Sequence, residues 1–577
     1  MGPIWVADTE PNDRFTLYSR GNVGEVFPQV LTALAATLIG EAIREGQVEV
    51  FVELGALRRA EVVGPAVGTG VFGGYLYMNA STMRLFGVRM PGLSPADAEE
   101  QVMGDVTDLP PYRPTKGDRN VLASLALSRY VFQIMRKPDL AALDAARLAA
   151  QNWLATMPTL DSAADEELLQ WLATFPPRQG AGMKRLLQAS MMAGAPRGLL
   201  DKALARPGMP AGLANRVVSG TGDVDSARLA QRLWSLGRLV AADSDLTAQF
   251  DRGLDRIAER TSDTALASAV AAFLSDHGHR GNDEYELATP SWGMDPTPVY
   301  AAIERLRHAP AHRDPLIAAT RLAAEADVAL VDALRRSPRY LRWMIRRTAL
   351  VSRLGAIARE RAKDILVLEN LGARYALHEL VNRAAQRGGP ADVRHSFCVT
   401  IDELPQFLND PGAFADVIEE RFALQQYLSD RIPPPWFEGR IPDPSTWQLR
   451  TDALSEPPLS GAVLSGIAVS GGAASGPARV ITDPCDPRGL LPGEVLVCAI
   501  TDPSWTPLFL GAVAVVCDTG AVLSHAAIVA RELGLPAVLS VPGITAVADG
   551  TMLYVDGDNG TVRIGDDASA ARSAATA

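Results

Sequence analysis

The stretch Gly520–Pro536, "GAVLSHAAIVARELGLP", decides how the C-terminal part of the chain is read. It continues an apolar run, "AVAVVCDTG", with the composition of a buried strand that stops at Gly520. Ser524 is a favourable N-cap, "HAAIVAREL" has helical composition, and Gly534 followed by Pro536 ends it. The spacing predicts a helix over 525–533 with His525 at its first position. Free backbone N–H groups and the positive end of the helix dipole favour an anion at that point. Ala526 and Ala527 leave the imidazole uncrowded. Neutral imidazole is nucleophilic near pH 7 and its phosphoryl adduct is anionic, so the position suits a phosphohistidine. A capping or packing histidine is the alternative reading.

Around this helix the sequence is a series of short strand patterns, "GPARVI", "EVLVCAI", "PAVLSV" and "TMLYVDG", each bounded by Gly, Pro or Asp. They define a small β/α domain over 459–566, with a tail at 567–577 that has no core-forming content. Upstream, residues 433–458 hold seven prolines in 26 positions and no apolar periodicity, the composition of a semi-rigid linker. Residues 121–432 read as helical almost throughout. In "DPLIAATRLAAEADVALVDALRR" the apolar positions 316, 319, 323, 326, 330 and 334 fall on one helix face, opened by Asp314-Pro315 and closed by Ser337-Pro338. Residues 1–120 are mixed. "VLTALAATLIGEAIREG" predicts a helix ending at Gly46, and "QVEVFVEL" and "GGYLYMN" predict strands.

Composition narrows the function classes. The chain has 577 residues, 47% apolar and 21% charged, with a formal net charge of −12, which disfavours general nucleic-acid binding. The four cysteines, Cys398, Cys485, Cys498 and Cys517, show no CxxC spacing, and the last lies with Cys498 in apolar runs that suit reduced core thiols. The N-terminus has no signal-peptide pattern and no apolar run reaches about 18 residues, so a cytoplasmic protein without a membrane span is expected.

In order along the chain, "GIAVSGGAASGPARVI", "TDPSWTPLF", "GAVLSHAAIVARELGLPAV" and "GTMLYVDGDNGTVRI" resemble the mobile phosphohistidine domain of the phosphoenolpyruvate-utilising enzymes. More weakly, "RGNVGEVFPQVLTAL", "GYLYMN", "GHRGNDEYELATPSW" and "TIDEL" resemble the helical substrate-binding domain of rifampicin phosphotransferase and its relatives. The resemblance implies a multidomain α+β protein, a large helical substrate-binding domain followed by a small swivelling phosphohistidine domain. It implies that His525 accepts a phosphoryl group at one site and carries it to another, with Gly520, Leu523, Ser524 and Arg531 as its environment. Leu523 stands where the dikinases usually carry Thr, a departure that leans towards the rifampicin-phosphotransferase-like branch, and Ala521 replaces a Gly of the family's common Gly-Gly pair, a milder change. ATP and Mg²⁺ are implied through an ATP-grasp partner domain or subunit, since neither that domain nor the phosphoenolpyruvate-binding barrel is recognisable here. A small hydroxyl-bearing acceptor is implied as well. A phosphohistidine carrier that regulates or binds without turnover is the alternative, and a phosphoenolpyruvate synthase is a third.

"HGHRG" at 277–281 supplies the candidates for the acceptor site: His277, His279 and Arg280, with Glu284 and Glu286 close behind. Two imidazoles and a guanidinium could grip a phosphoryl group or deprotonate a hydroxyl. A loop that caps neighbouring helices is the plain alternative, and a metal site lacks further ligands. "GTGVFG" at 68–73 satisfies the dinucleotide pattern but leads into a strand rather than the required helix. The segment 335–363 carries ten basic residues against Glu360 alone, which suits a phosphate-receiving cleft, an acidic partner or a solvated helix face.

Overall fold

The computed structural model describes residues 4–565 apart from 22, 92, 97, 100–108, 139, 207, 211, 221–224, 451–457, 484–488, 502–504 and 521–523; at 25, 225–227, 312 and 525 only the backbone is described. The chain divides into two units: residues 1–196, 279–291 and 354–453 form the first, and 197–278, 292–353 and 454–577 the second. It is a multidomain α+β protein, mainly helical, with a small C-terminal β/α portion.

The first unit is built on a buried helix, Ala33–Glu53, opened by the Thr32 side chain and lying against a four-stranded antiparallel sheet. The strands are β1 (Leu17–Ser19), β2 (Thr69–Phe72), β3 (Tyr75–Asn79) and β4 (Trp436–Glu438), in the order β2-β3-β1-β4. Gly73 and Gly74, both with positive φ, make the two-residue turn between β2 and β3. The "GTGVFG" stretch is therefore strand and turn, as its continuation into "GYLYMN" suggests.

Three sequence expectations change here. Gly46 does not end its helix. It lies inside, where a Cβ would meet the Gly180 carbonyl oxygen at 2.3 Å, so its bareness serves a close helix crossing. "QVEVFVEL" is consequently the last turns of that helix rather than a strand, with Val48, Val50 and Phe51 buried. The proline-rich segment is not a free tether over 432–450: Phe437 and Trp447 are buried, β4 pairs with β1, and Gly439 N–H donates to Thr16 O. Its aromatic residues anchor it to the first unit, a signal that proline count conceals. The remainder of the expected linker, 451–457, lies outside the described residues, as does the 567–577 tail.

In the second unit the helix Pro315–Arg336 has the expected ends, with Asp314 capping and Ser337 following. Its buried residues include Ala319, Ala326 and Leu334 as expected, but Leu322 and Ala329 take the places of 323 and 330, Ala333 joins them, and Leu316 is exposed. The C-terminal strands β5 (Val463–Ser465), β6 (Ile467–Ser470), β7 (Ala473–Val480), β8 (Val495–Cys498), β9 (Ala514–Cys517), β10 (Ala537–Leu539), β11 (Met552–Asp556) and β12 (Thr561–Ile564) form one sheet. Their order is β5-β12-β11-β7-β8-β9-β10-β6, with β7, β8, β9 and β10 parallel and the outer pairs antiparallel. Every residue of β8 and β9 is buried, which is why they read as continuous apolar runs. Cys498 and Cys517 are neighbours across these strands, buried as free thiols with their sulfurs 3.4 Å apart; Cys485 lies outside the described residues.

The sheet portion shares one core with the unit's helices. Leu508, Phe509, Ala527 and Ala530 lie in the same buried cluster as Leu233, Trp234, Phe273, Ile303 and Leu306. The Arg313 guanidinium also donates to Ala512 O at 2.7 Å.

Candidate functional site

The helix His525–Leu533 begins at the predicted residue. Ser524 has extended φ/ψ, is buried, and its hydroxyl accepts from Ala527 N–H at 3.3 Å. Gly534, at φ 65°, closes the helix in the left-handed conformation. His525 thus stands at a helix start just beyond the C-terminal end of β9, one of the parallel strands, where open α/β sheets place their ligand sites. The His525 side chain and residues 521–523, Leu523 included, lie outside the described residues.

The surrounding residues are fixed by packing. A Cβ on Gly520 would meet the Leu539 side chain at 2.7 Å, and the Gly520 carbonyl accepts from Ser540 Oγ at 2.6 Å. Arg531 is buried and its Nε donates to Ala527 O at 2.8 Å, one turn back on its own helix. After β8, at the start of the helix Thr506–Gly511, and after β9 stand further polar groups. Thr501 and Thr506 are buried, and their hydroxyl oxygens have no hydrogen-bond partner among the described residues. Burial raises the Asp518 carboxyl, against hydrogen bonds from Thr545. Only the quoted stretch "TDPSWTPLF" marked the two threonines beforehand.

The second set of candidates separates. His277 ends the helix Ala265–His277 in the second unit, with its ring 5.1 Å from that of Phe273. His279, Arg280 and Glu284 belong to the first unit and come together there. His279 Nε2 is 2.8 Å from Asp364 Oδ1, Arg280 Nη1 is 3.2 Å from Glu284 Oε1 and 3.6 Å from Asp364, and Lys363 Nζ is 3.3 Å from Glu284 Oε2. Arg147 closes on the other Asp364 oxygen. Burial would raise the Asp364 carboxyl, but the charge and hydrogen bond of His279, with Arg280 and Arg147, hold it well below the ordinary carboxylate range.

The loop carrying these residues is clamped by one face of the long helix Arg339–Gln386. Asn370 Nδ2 donates to Glu284 O, Arg374 Nη2 to Asp283 O and Glu286 O, and His378 meets Leu287 O. Glu286 turns the other way, accepting from Thr32 N–H, the Thr32 hydroxyl and Ala288 N–H. Asp364, Asn370, Arg374 and His378 were not anticipated, although their spacing along one helix is a legible sign of a polar seam.

Comparison with known proteins places these parts. Residues 490–560 match the mobile domain of the PEP-utilising enzymes, and residues 181–360 match the fourth domain of rifampicin phosphotransferase. The chain is rifampicin-phosphotransferase-like and carries a PEP-utilising mobile domain. It is 31% identical over 370 residues to the prodigiosin synthesizing transferase PigC of Serratia marcescens, covering 61% of this chain and 40% of that protein. It is 30% identical over 374 residues to the chondramide synthase cmdD of Chondromyces crocatus, covering 58% and 9%. To the rifampicin phosphotransferase of Streptomyces sviceus it is 28% identical over 321 residues, covering 54% and 36%. The chain therefore spans well under half the length of these relatives. Among the described residues, no helix is long and apolar enough to cross a membrane.

Proposed function

We propose that this rifampicin-phosphotransferase-like chain accepts a phosphoryl group on His525 and delivers it to a small hydroxyl-bearing acceptor held by its helical part. The observation that carries this reading is the Ser524-capped helix start at His525, beside the C-terminal ends of parallel strands and inside the segment that matches the PEP-utilising mobile domain. In the first step a ring nitrogen of His525 attacks the β-phosphorus of ATP held by the partner, and its lone pair forms the N–P bond. The bridging P–O bond to the α-phosphate breaks with its electrons leaving on AMP, and the γ-phosphate is released by hydrolysis. In the second, an acceptor oxygen attacks phosphorus, the N–P bond breaks, its electrons return to the ring, and the hydroxyl proton passes to a base. The dipole and free N–H groups of the helix start favour the anionic carrier state.

ATP and Mg²⁺ are assigned to an ATP-grasp partner domain or subunit, which supplies the phosphoryl donor. Among the described residues no group of three or more His, Cys, Asp or Glu side chains converges as a metal site. His279 and Arg280, each 2% exposed and tied to Asp364, act in this reading as positioning residues that hold the 279–287 loop, with Glu284 between Arg280 and Lys363.

The test is phosphorylation with β-labelled ATP and an active ATP-grasp partner of this family. An acid-labile, base-stable label that His525→Ala abolishes is the expected result. Absence of label, with a partner that phosphorylates its own cognate carrier in the same assay, overturns the reading for that pairing.

A further inference from the structure

A short repeat lies in the first unit: "NWLATMP" at 152–158 and "QWLATFP" at 170–176. The two copies fold onto each other reciprocally. The indoles of Trp153 and Trp171 stack with centroids 4.3 Å apart and planes 11° from parallel. Trp153 Nε1 donates to Thr174 Oγ1 at 2.9 Å, and Trp171 Nε1 to Thr156 Oγ1 at 3.2 Å. Each threonine hydroxyl in turn donates to the carbonyl of its own repeat's tryptophan at 2.6 Å. The pair rests on Gly372 of the long helix, where a Cβ would meet Trp171 at 2.6 Å.

This aromatic pair forms one wall of a cavity of about 490 Å³, within the size range of small-molecule sites. Ala146, Ala149, Ala181 and Pro177 complete its apolar lining. Its polar end is made of Glu369, Arg178 and Arg185. Both guanidiniums pair with the carboxylate at long range: Arg178 Nη1 is 3.6 Å from Glu369 Oε1, and Arg185 Nη2 is 3.7 Å from Oε2. Glu369 is 2% exposed, and its Oε2, like Arg185 Nε, is a buried polar atom without a hydrogen-bond partner. A buried acceptor left in that state is costly, so its presence at a cavity wall points to a donor that comes from outside the chain. Both indole N–H groups are already used by the threonines, so the aromatic wall offers ring surface only.

We propose that this cavity binds a small ring-containing, otherwise apolar molecule carrying an O–H or N–H donor, with the ring against Trp153 and Trp171 and the donor bonded to Glu369 Oε2. Burial pushes the Glu369 carboxyl up to about 7 despite Arg185 and Arg178, so proton sharing with a weakly acidic hydroxyl is within its range. The proposal concerns binding alone and stands apart from phosphorylation of His525.

Calorimetric titration of the full chain with 2-naphthol, 2-methoxynaphthalene and 2-naphthoate tests it. Saturable binding of 2-naphthol, about tenfold or more tighter than the methoxy compound that lacks the donor, is expected. Ala181→Phe, at an exposed lining position, should abolish it while circular dichroism stays unchanged. Glu369→Gln should lose most of the preference for 2-naphthol over 2-methoxynaphthalene. No saturable binding of 2-naphthol, equal affinity for the two neutral compounds, tighter binding of 2-naphthoate, or full binding by Ala181→Phe would each overturn the proposal.

Discussion

His279 Nε2 and Asp364 Oδ1 meet at 2.8 Å, with both side chains shut away from solvent. The contact joins a loop to the middle of the 48-residue helix that clamps it. Removing one member of a buried, hydrogen-bonded pair leaves the other uncompensated, which costs about 3–5 kcal/mol. Asp364→Ala should lose that much stability in denaturant unfolding. Glu379→Ala, whose carboxylate is half-buried in an (i, i+4) pair with Arg383 on the same helix, should lose about 1 kcal/mol or less.

The acid limb of stability should depend on Glu61. Burial works to raise its carboxyl, yet hydrogen bonds from Arg89, Arg58 N–H and Arg14 hold it at about 2. A carboxyl depressed in the folded state stabilises above its unfolded pKa, about 4.3, and loses that contribution as pH falls towards 2. The stake is about 3 kcal/mol. Glu61→Gln should flatten the decline between pH 5 and about 2 and lower stability at pH 7, read from urea midpoints across that range.

Glu369 has the opposite sign. Its carboxyl is raised to about 7 in the folded chain, so the folded state binds the proton more tightly and stability falls as pH rises from about 4 to about 7. Arg178 and Arg185 face it and weaken the effect without reversing it. Glu369→Gln should therefore make stability less dependent on pH in that interval, and the difference from the parent protein should grow towards pH 8.

Gly46 and Gly180 pass close enough that a Cβ on the first would be 3.0 Å from the carbonyl carbon of the second and nearer to its oxygen. Both contacts are backbone and cannot rotate away. Gly46→Ala should cost about 1–3 kcal/mol as the two helices are forced apart, although alanine is the better helix former. A melting-temperature comparison with Gly40→Ala, which meets nothing within 4 Å on the same helix, isolates the crossing.

Ser524→Ala should cost about 1 kcal/mol through the lost cap to Ala527 N–H. Ser524→Asp keeps a capping oxygen, and should recover most of that stability. Both are read from thermal unfolding.

Local signals were strongest where chain chemistry is strict. The helix at His525 was legible from a capping serine, a terminal glycine and a proline, and the strands β8 and β9 from unbroken apolar runs. The Pro315–Arg336 helix was legible in extent but not in facing, because alanines and leucines surround it and periodicity cannot choose between adjacent positions. The helix runs past Gly46 against the local signal, because glycine marks both an end and a crossing, and only the partner helix distinguishes them. The segment before 451 has the proline content of a tether, while Phe437 and Trp447 anchor it. At the candidate sites, "HGHRG" was visible as a cluster, yet its division between His277 and the His279–Asp364 pair depends on a helix some 85 positions away. The twin tryptophan repeat was equally present in the sequence, and its meaning rests on a reciprocal fold that no single copy reveals.

The core that the C-terminal sheet shares with the unit's helices has a calorimetric signature. Any cycle that lifts the His525 helix and the Thr506–Gly511 helix away from Leu233, Phe273 and Ile303 must wet Leu508, Phe509, Ala527 and Ala530. Each Å² of apolar surface so exposed adds about 0.45 cal/mol/K to the heat capacity of the lifted state. The opening equilibrium then curves with temperature and is least favourable at an intermediate temperature. An opening of this kind is thermally gated, and the curvature of its van 't Hoff plot measures how much of that face leaves the helices.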